Sequence, residues 1–363
     1  MDFAELDAWL TERARDKRFS GVVLIRRGDE TLFERGYGLA SRRWSVPNAP
    51  DVRYDTASIT KLFTSIAALR LAEAGRLDLD RPIGEIIDLG GTAIADGATT
   101  RQLLTHTSGI ADDADEEAGE SYEALWVGKP VYSVMETRDH LPNFAYRAAN
   151  FAPGEGCRYC NSGYVLAGLV IETIVGGPYR EYVQETVLDR AGMTESGFFD
   201  RRDPQPRVAE GWDPILDGER VTGWKQNIFS YPPIGSPDGG AYCTVGDLVR
   251  FLRAIREERL LSPERTREFL TPQVLHSKGV WYGFGLEFSL DADGSVWNYY
   301  KDGGNAGVCS LARHYPGQGL DVALLSNHTY GGGAAIQEID RVIRASRGAP
   351  GCHERPVTRK ICQ

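Results

Sequence analysis

The chain opens on an amphipathic run, MDFAELDAWLTERARDKRFS, whose apolar residues recur at helical spacing. Next comes GVVLIRRGDETLFERGYG, two β-rich runs around Arg27-Gly28-Asp29 that read as a hairpin. A helical pattern starts at Ser58 and runs to about residue 74, with Gly75 placed to end it. Over residues 78–190 the alternating pattern gives way to loops and helices. TTRQLLTHTSGI sets Thr99 and Gln102 at capping-box spacing, so a helix starts there. Residues 161–176, NSGYVLAGLVIETIVG, form a strongly apolar helix, and YREYVQETVLDRAG forms another. Residues 200–240, rich in Pro, Gly and Trp, predict a long ordered loop region.

TVGDLVRFLRAIREE and SPERTREFL are helical, the second with Ser262 as its cap and Pro263 in its first turn. Strand texture then returns in YGFGLEFSL, SVWNYYKDGG, VCSLARHY and LDVALLSN, with Asp-Ala-Asp-Gly and Pro-Gly-Gln-Gly turns between the first and the last pair. A closing helix is expected over about 333–346. The order predicts an α/β (α+β) fold, an antiparallel sheet flanked by helices. Residues 1–77 and 235–363 would form one sheet-bearing domain, and residues 78–234 a mainly helical insertion. The active site is expected in the cleft between them.

Composition narrows the function. The 363 residues are 42% hydrophobic and 25% charged, which is ample for a large core. A net charge of −10 with no Lys/Arg-rich run argues against a nucleic-acid partner. No stretch approaches the roughly 18 consecutive apolar residues of a membrane span. The charged N-terminus has no apolar segment of the signal-peptide kind, so a cytoplasmic location is expected. Of six cysteines, Cys157 and Cys160 form a C-x-x-C, but no second ligand pair completes a zinc site. Cys352 and Cys362 lie in a Pro- and Arg-containing tail and would pair if oxidised. Neither a metal nor a cofactor is expected.

Ser58-Ile-Thr-Lys61 places a hydroxyl and an amine at i and i+3 on the first turn of a helix. Free N–H groups and a positive field at that end favour the anion formed when a serine oxygen attacks a carbonyl. An amine buried near such a field, and near a second cation, loses protonation energy and becomes a workable base. Spacing alone proves little, since about one Ser-x-x-Lys arises by chance in a chain of this size. Two further elements follow in order. Tyr159-Cys160-Asn161 is the only Tyr-x-Asn, and Lys301-Asp302-Gly303 follows the run SVWNYY.

With these elements the chain resembles the serine β-lactamase and penicillin-binding-protein superfamily, particularly its class C β-lactamase, esterase and D-aminopeptidase branch. RLDLDRPI, TTRQLLTHTSGI, FAPGEGCRYCNSGYVLAGLVIE, GGAYCTVGDLVRFL and GGNAGVCSLARHYPGQGLDVALLSN match as well, from about residue 20 to 345. The resemblance implies Ser58 as nucleophile, with Lys61 and Tyr159 sharing the role of base. Asn161 would bridge Lys61 and a substrate amide, or simply cap its helix. Lys301 would attract a substrate carboxylate or tune Tyr159, and Gly303 with Gly304 would let substrate approach the strand. The Gly304 and Ser58 N–H groups would form the oxyanion hole.

Two departures change the expectation. Cys160 replaces a small Ser or Ala and is expected to pack away from the reaction. Asp302 replaces the usual Thr or Ser; its charge would repel a substrate acid and welcome an amine. His106, in LLTHTSGI, invites a Ser-His-Asp reading, but in the resembling family that stretch is a structural turn. His314 and His328 are expected at the surface or the cleft rim. The expected function is a serine hydrolase forming an acyl-enzyme on a small ester or amide substrate. Alternatives are acyl transfer, β-lactamase or D-amino-acid peptidase activity, and, in another class, a non-catalytic ligand binder.

Overall fold

The structure, a computed structural model, describes residues 3–218, 220–277 and 280–346. Cys352 and Cys362 lie outside them. Eight strands form one antiparallel sheet: β1 (Gly21–Arg27), β2 (Glu30–Tyr37), β3 (Val274–Ser277), β4 (Val280–Tyr282), β5 (Glu287–Leu290), β6 (Val296–Asn305), β7 (Val308–Tyr315) and β8 (Leu320–Ser326). Their spatial order is β2-β1-β8-β7-β6-β5-β4-β3. The early hairpin therefore joins the late meander through β1 and β8, from Gly21 opposite Ser326 to Arg27 opposite Leu320.

Period-two alternation in the central strands feeds two apolar layers. In β1, Val22 and Leu24 face one layer while Val23 and Ile25 face the other. The second layer is covered by α1 (Ala4–Arg15), through Leu6 and Leu10, and by the last of the five longest helices. The first layer receives α2 (Thr60–Glu73), α3 (Asn161–Val175) and α4 (Val245–Arg256). Phe63 of α2 meets Phe251 of α4 edge to face at 4.9 Å. The last helix, α5 (Gly332–Ala345), is tied to β7 by Arg313, both of whose contacts to the buried Asp340 carboxylate are 2.7 Å.

The expected elements appear, with three differences. Residues 200–240 are not all loop: Trp212–Asp217 and Arg220–Gln226 pair as a hairpin. Pro214, which has no N–H to give a ladder, hides the first of these strands from a pattern reading. The run YGFGLEFSL is broken, because Gly283-Phe284-Gly285 makes a tight turn between β4 and β5, with Gly285 at φ +82°. Finally, β3 and β4 extend the sheet beyond the four runs expected there. Between β2 and β3 the chain is mostly helices, short 3₁₀ turns and loops.

Candidate active site

Ser58 lies in a single helical turn, Ala57–Ile59, that runs straight into α2. The residue before it, Ala57, has φ +44°, a left-handed conformation that costs energy for any residue with a Cβ. The turn is held from three sides. The Ala57 N–H donates to Asp55 Oδ1 (2.7 Å), the Thr56 hydroxyl to the Ala241 carbonyl (2.7 Å), and the Thr60 hydroxyl to the Ala57 carbonyl (2.8 Å). β6 passes directly against it. A Cβ on Gly303 would lie 2.1 Å from the Thr56 carbonyl oxygen and 3.0 Å from the Ser58 nitrogen, so only glycine fits. The Ser310 hydroxyl, opposite on β7, donates to the Thr56 carbonyl at 2.8 Å.

Around Ser58 Oγ the structure assembles the groups singled out in the sequence. The Tyr159 phenol donates to it at 2.8 Å and the Lys61 ammonium at 3.2 Å. Lys61, on the buried α2, is 0% exposed. Its other hydrogen bonds go to Asn161 Oδ1 (2.7 Å) and the Asp238 carbonyl (2.6 Å), so three acceptors match its three donors. Two ammonium groups lie close to the Tyr159 ring, Lys61 Nζ 5.1 Å and Lys301 Nζ 4.9 Å from its centroid. His106 packs against the same ring, centroids 4.5 Å apart, and its Nδ1 accepts the Cys160 N–H at 3.0 Å. This makes His106 a support for Tyr159.

Asn161 and Cys160 divide their work differently from the sequence reading. The cap of α3 is Cys160, whose Sγ accepts the Gly163 N–H at 3.2 Å and donates to the Ile110 carbonyl at 3.4 Å. Asn161 is thereby free to bind Lys61 through Oδ1, while its Nδ2 donates to Asp112 Oδ2 (3.2 Å) and Glu116 Oε1 (3.1 Å). Cys157 and Cys160 do not meet as a pair; Cys157 Sγ points to the Thr105 carbonyl at 3.9 Å.

Lys301 was expected to attract a substrate carboxylate or to tune Tyr159, and its ammonium does lie 4.9 Å from that ring. The same ammonium, 1% exposed, bonds to Glu287 Oε1 at 2.6 Å and has Asp302 Oδ1 at 3.6 Å. A buried ammonium needs a counter-charge, and the adjacent strand supplies one. Asp302 belongs to this same charge cluster. His314 and His328 are also inside, not at the rim; His314 Nδ1 lies 2.9 Å from Asp321 Oδ1. Burial pushes both imidazoles below the ordinary histidine range, His328 to about 4.

A cavity of about 340 Å³ opens on Ser58, with Asn161 and Gly304 in its wall. Four acids also line it: Asp55, Glu116, Glu120 and Asp238. Sequence reasoning missed Asp112, Glu116, Asp238 and Glu287. The run DDADEE, just after the HTSG turn, was the available signal for the first two. For Glu287 the signal was a lone acid opening the strand Glu287–Leu290 within the run YGFGLEFSL. Asp112 is buried behind Asn161 and accepts the Ser162 N–H at 2.8 Å. Burial raises its carboxyl to about 6, against the pull of the Ser162 and Asn161 N–H groups. Asp113 is also pushed up, first by burial and then by Asp112 and Asp238.

Among known proteins, a family model described as Beta-lactamase matches residues 6–346. A penicillin-binding protein structure from Bacillus halodurans superposes with a TM-score of 0.86 at 34% identity, covering 93% of this chain and 99% of the other. Esterase EstB of Burkholderia gladioli is 29% identical over 91% of each chain. A D-stereospecific amidohydrolase from Streptomyces sp. aligns at 26% identity with a TM-score of 0.73, over 90% of this chain and 95% of its own. With a family match running almost end to end and a sheet, a helical region and a serine turn arranged as described, the chain belongs to the beta-lactamase family.

Proposed function

We propose that the protein is a serine hydrolase that cleaves a small ester or amide through an acyl-enzyme on Ser58. The observation that carries this reading is the double contact at Ser58 Oγ, from the Lys61 amine and the Tyr159 phenol. In the proposed reaction the Lys61–Tyr159 pair, having first given up one of its protons to solvent, takes the Ser58 proton as Oγ attacks the substrate carbonyl. The oxyanion is met by the N–H groups of Ser58 and Gly304. The same pair returns the proton to the leaving alcohol or amine, and water then releases the acid. Two ammonium groups against the Tyr159 ring favour its charged form during these transfers.

The walls favour an amine-bearing substrate over an acidic one near the nucleophile. Glu116 Oε1 already accepts from Asn161, and Glu116 Oε2 has no hydrogen-bond partner among the described residues. Lys301, matched by Glu287, is not an open site for the carboxylate of a β-lactam or cell-wall peptide. Relatives bearing the names esterase and amidohydrolase support the ester and amide reading.

The test is covalent labelling with a fluorophosphonate read by intact mass, alongside hydrolysis of p-nitrophenyl esters, D-amino-acid amides and nitrocefin. Wild type is expected to gain one adduct and to turn over an ester or amide. Ser58→Ala should do neither while melting like wild type. An unlabelled wild type, or equal labelling of Ser58→Ala, overturns the proposal.

A further inference from the structure

The Ser58 cavity continues into a second one of about 450 Å³. Asp55, Arg201, Tyr231, Pro233 and Tyr242 line both, whereas Ser58, Glu116, Asn161 and Gly304 line only the first. Arg201 therefore stands at the junction, away from the nucleophile's end. It is the only Lys or Arg among the described residues lining the first cavity. In the second cavity the other one is Arg202, which Asp200 holds through contacts of 2.9 and 3.1 Å to its Nε.

No acid holds Arg201 by direct contact. Among the described residues no carboxylate oxygen comes within 4.0 Å of its guanidinium. Its hydrogen bonds run to neutral acceptors, the Asn227 carbonyl at 3.3 and 3.4 Å and Asn227 Oδ1 at 3.0 Å, and it lies over the Tyr231 ring at 4.7 Å. Asp55, in the same wall, attracts Arg201 through space but makes its hydrogen bonds elsewhere, to the Ala57 N–H and the Tyr231 hydroxyl. A mostly buried guanidinium with a five-donor fork and no anionic contact is matched best by a carboxylate arriving from the cavity.

We propose that Arg201 is a specificity residue that binds a carboxylate on the far end of the substrate. This rests on reading the Ser58 cavity as the substrate site. The acidic walls elsewhere would repel such a group, so the single cation also fixes which way round the substrate lies. The reactive carbonyl sits at Ser58, any amine beside Glu116, and the carboxylate at the mouth of the second cavity.

The experiment compares kcat/KM for esters with and without a terminal carboxylate. p-Nitrophenyl hemiglutarate against p-nitrophenyl valerate places the charge on the acyl side; 4-acetoxybenzoate against its methyl ester places it on the leaving group. In wild type one pair should favour the carboxylate, a preference that shrinks as salt rises. In Arg201→Met the ratio for that pair should fall about tenfold or more, the scale of a lost charged hydrogen bond, and Arg201→Lys should restore part of it. Ratios that are the same in wild type and Arg201→Met for both pairs overturn the proposal. If Arg201→Met does not fold, the salt-dependent preference of wild type and the Arg201→Lys ratio decide. A wild type inactive on every ester counts against the hydrolase reading instead. Calorimetry with hippurate and the neutral hippuramide then decides: hippurate should bind wild type more tightly and lose that advantage in Arg201→Met, and equal binding of the two overturns the proposal.

Discussion

Tyr159 shows how much one side chain carries here. Its oxygen is 2.8 Å from Ser58 Oγ, while its ring lies near two ammonium groups and packs on His106. Tyr159→Phe removes the oxygen and keeps the ring. We expect kcat to fall by about 10²–10⁴, the usual worth of a general acid–base group, with a thermal midpoint close to wild type. A variant with near-normal kcat would move the proton transfers to Lys61 alone. Ser58, Lys61, Tyr159 and Asn161 were legible because each belongs to a short motif of fixed spacing. Glu287 was not. It meets Lys301 across the β5–β6 pairing, in a register where Glu287 faces Tyr300, and neither motif nor spacing announces that pairing.

At the scale of elements, α3 is the informative case. Its apolar length was plain in NSGYVLAGLVIETIVG, and its end at Gly176 has the left-handed φ of +72° that glycine favours. Its start at Asn161 was legible too; Asn161 itself stood as the alternative cap, because general preference favours Asn there. The site reversed that preference: Lys61 and the Asp112–Glu116 segment claim the Asn161 amide, so the thiol caps instead. Cys160→Ala should lower stability in urea unfolding by about 1 kcal/mol, the typical worth of a cap, whereas Cys160→Ser should recover most of it. Equal loss in both variants would assign the cost to packing. The hairpin over 212–226 and the break at 283–285 were hidden for a related reason. Proline and glycine mark interruptions in a pattern, and only tertiary pairing shows which interruption ends a strand.

Over the whole molecule, the acids gathered behind Asn161 give stability a definite dependence on pH. Asp112 faces Asp113, Glu116 and Lys61, and in the folded chain its carboxyl keeps its proton up to about 6, against a reference value of 3.8. Between those values the unfolded chain binds fewer protons than the folded one, so this group's contribution falls as pH rises through that window. Exposed acids held by arginine, such as Glu120 with Arg147, act in the opposite direction. The readout is therefore a difference: relative to wild type, Asp112→Asn should become steadily more stable from pH 4 to pH 6.5 in urea unfolding. A difference that does not change with pH would show that Asp112 is already charged when folded at the low end.

The pairing of β1 with β8 bears on how the molecule is made. At roughly 10 residues per second, a ribosome delivers Ser326 about half a minute after Gly21. For that interval the early hairpin waits with one edge bare, a template for any other nascent strand. β6, whose Gly303 backs the serine turn, emerges only shortly before the final strand. Reactivity therefore arrives late in the life of the nascent chain, when the last strand locks the sheet shut.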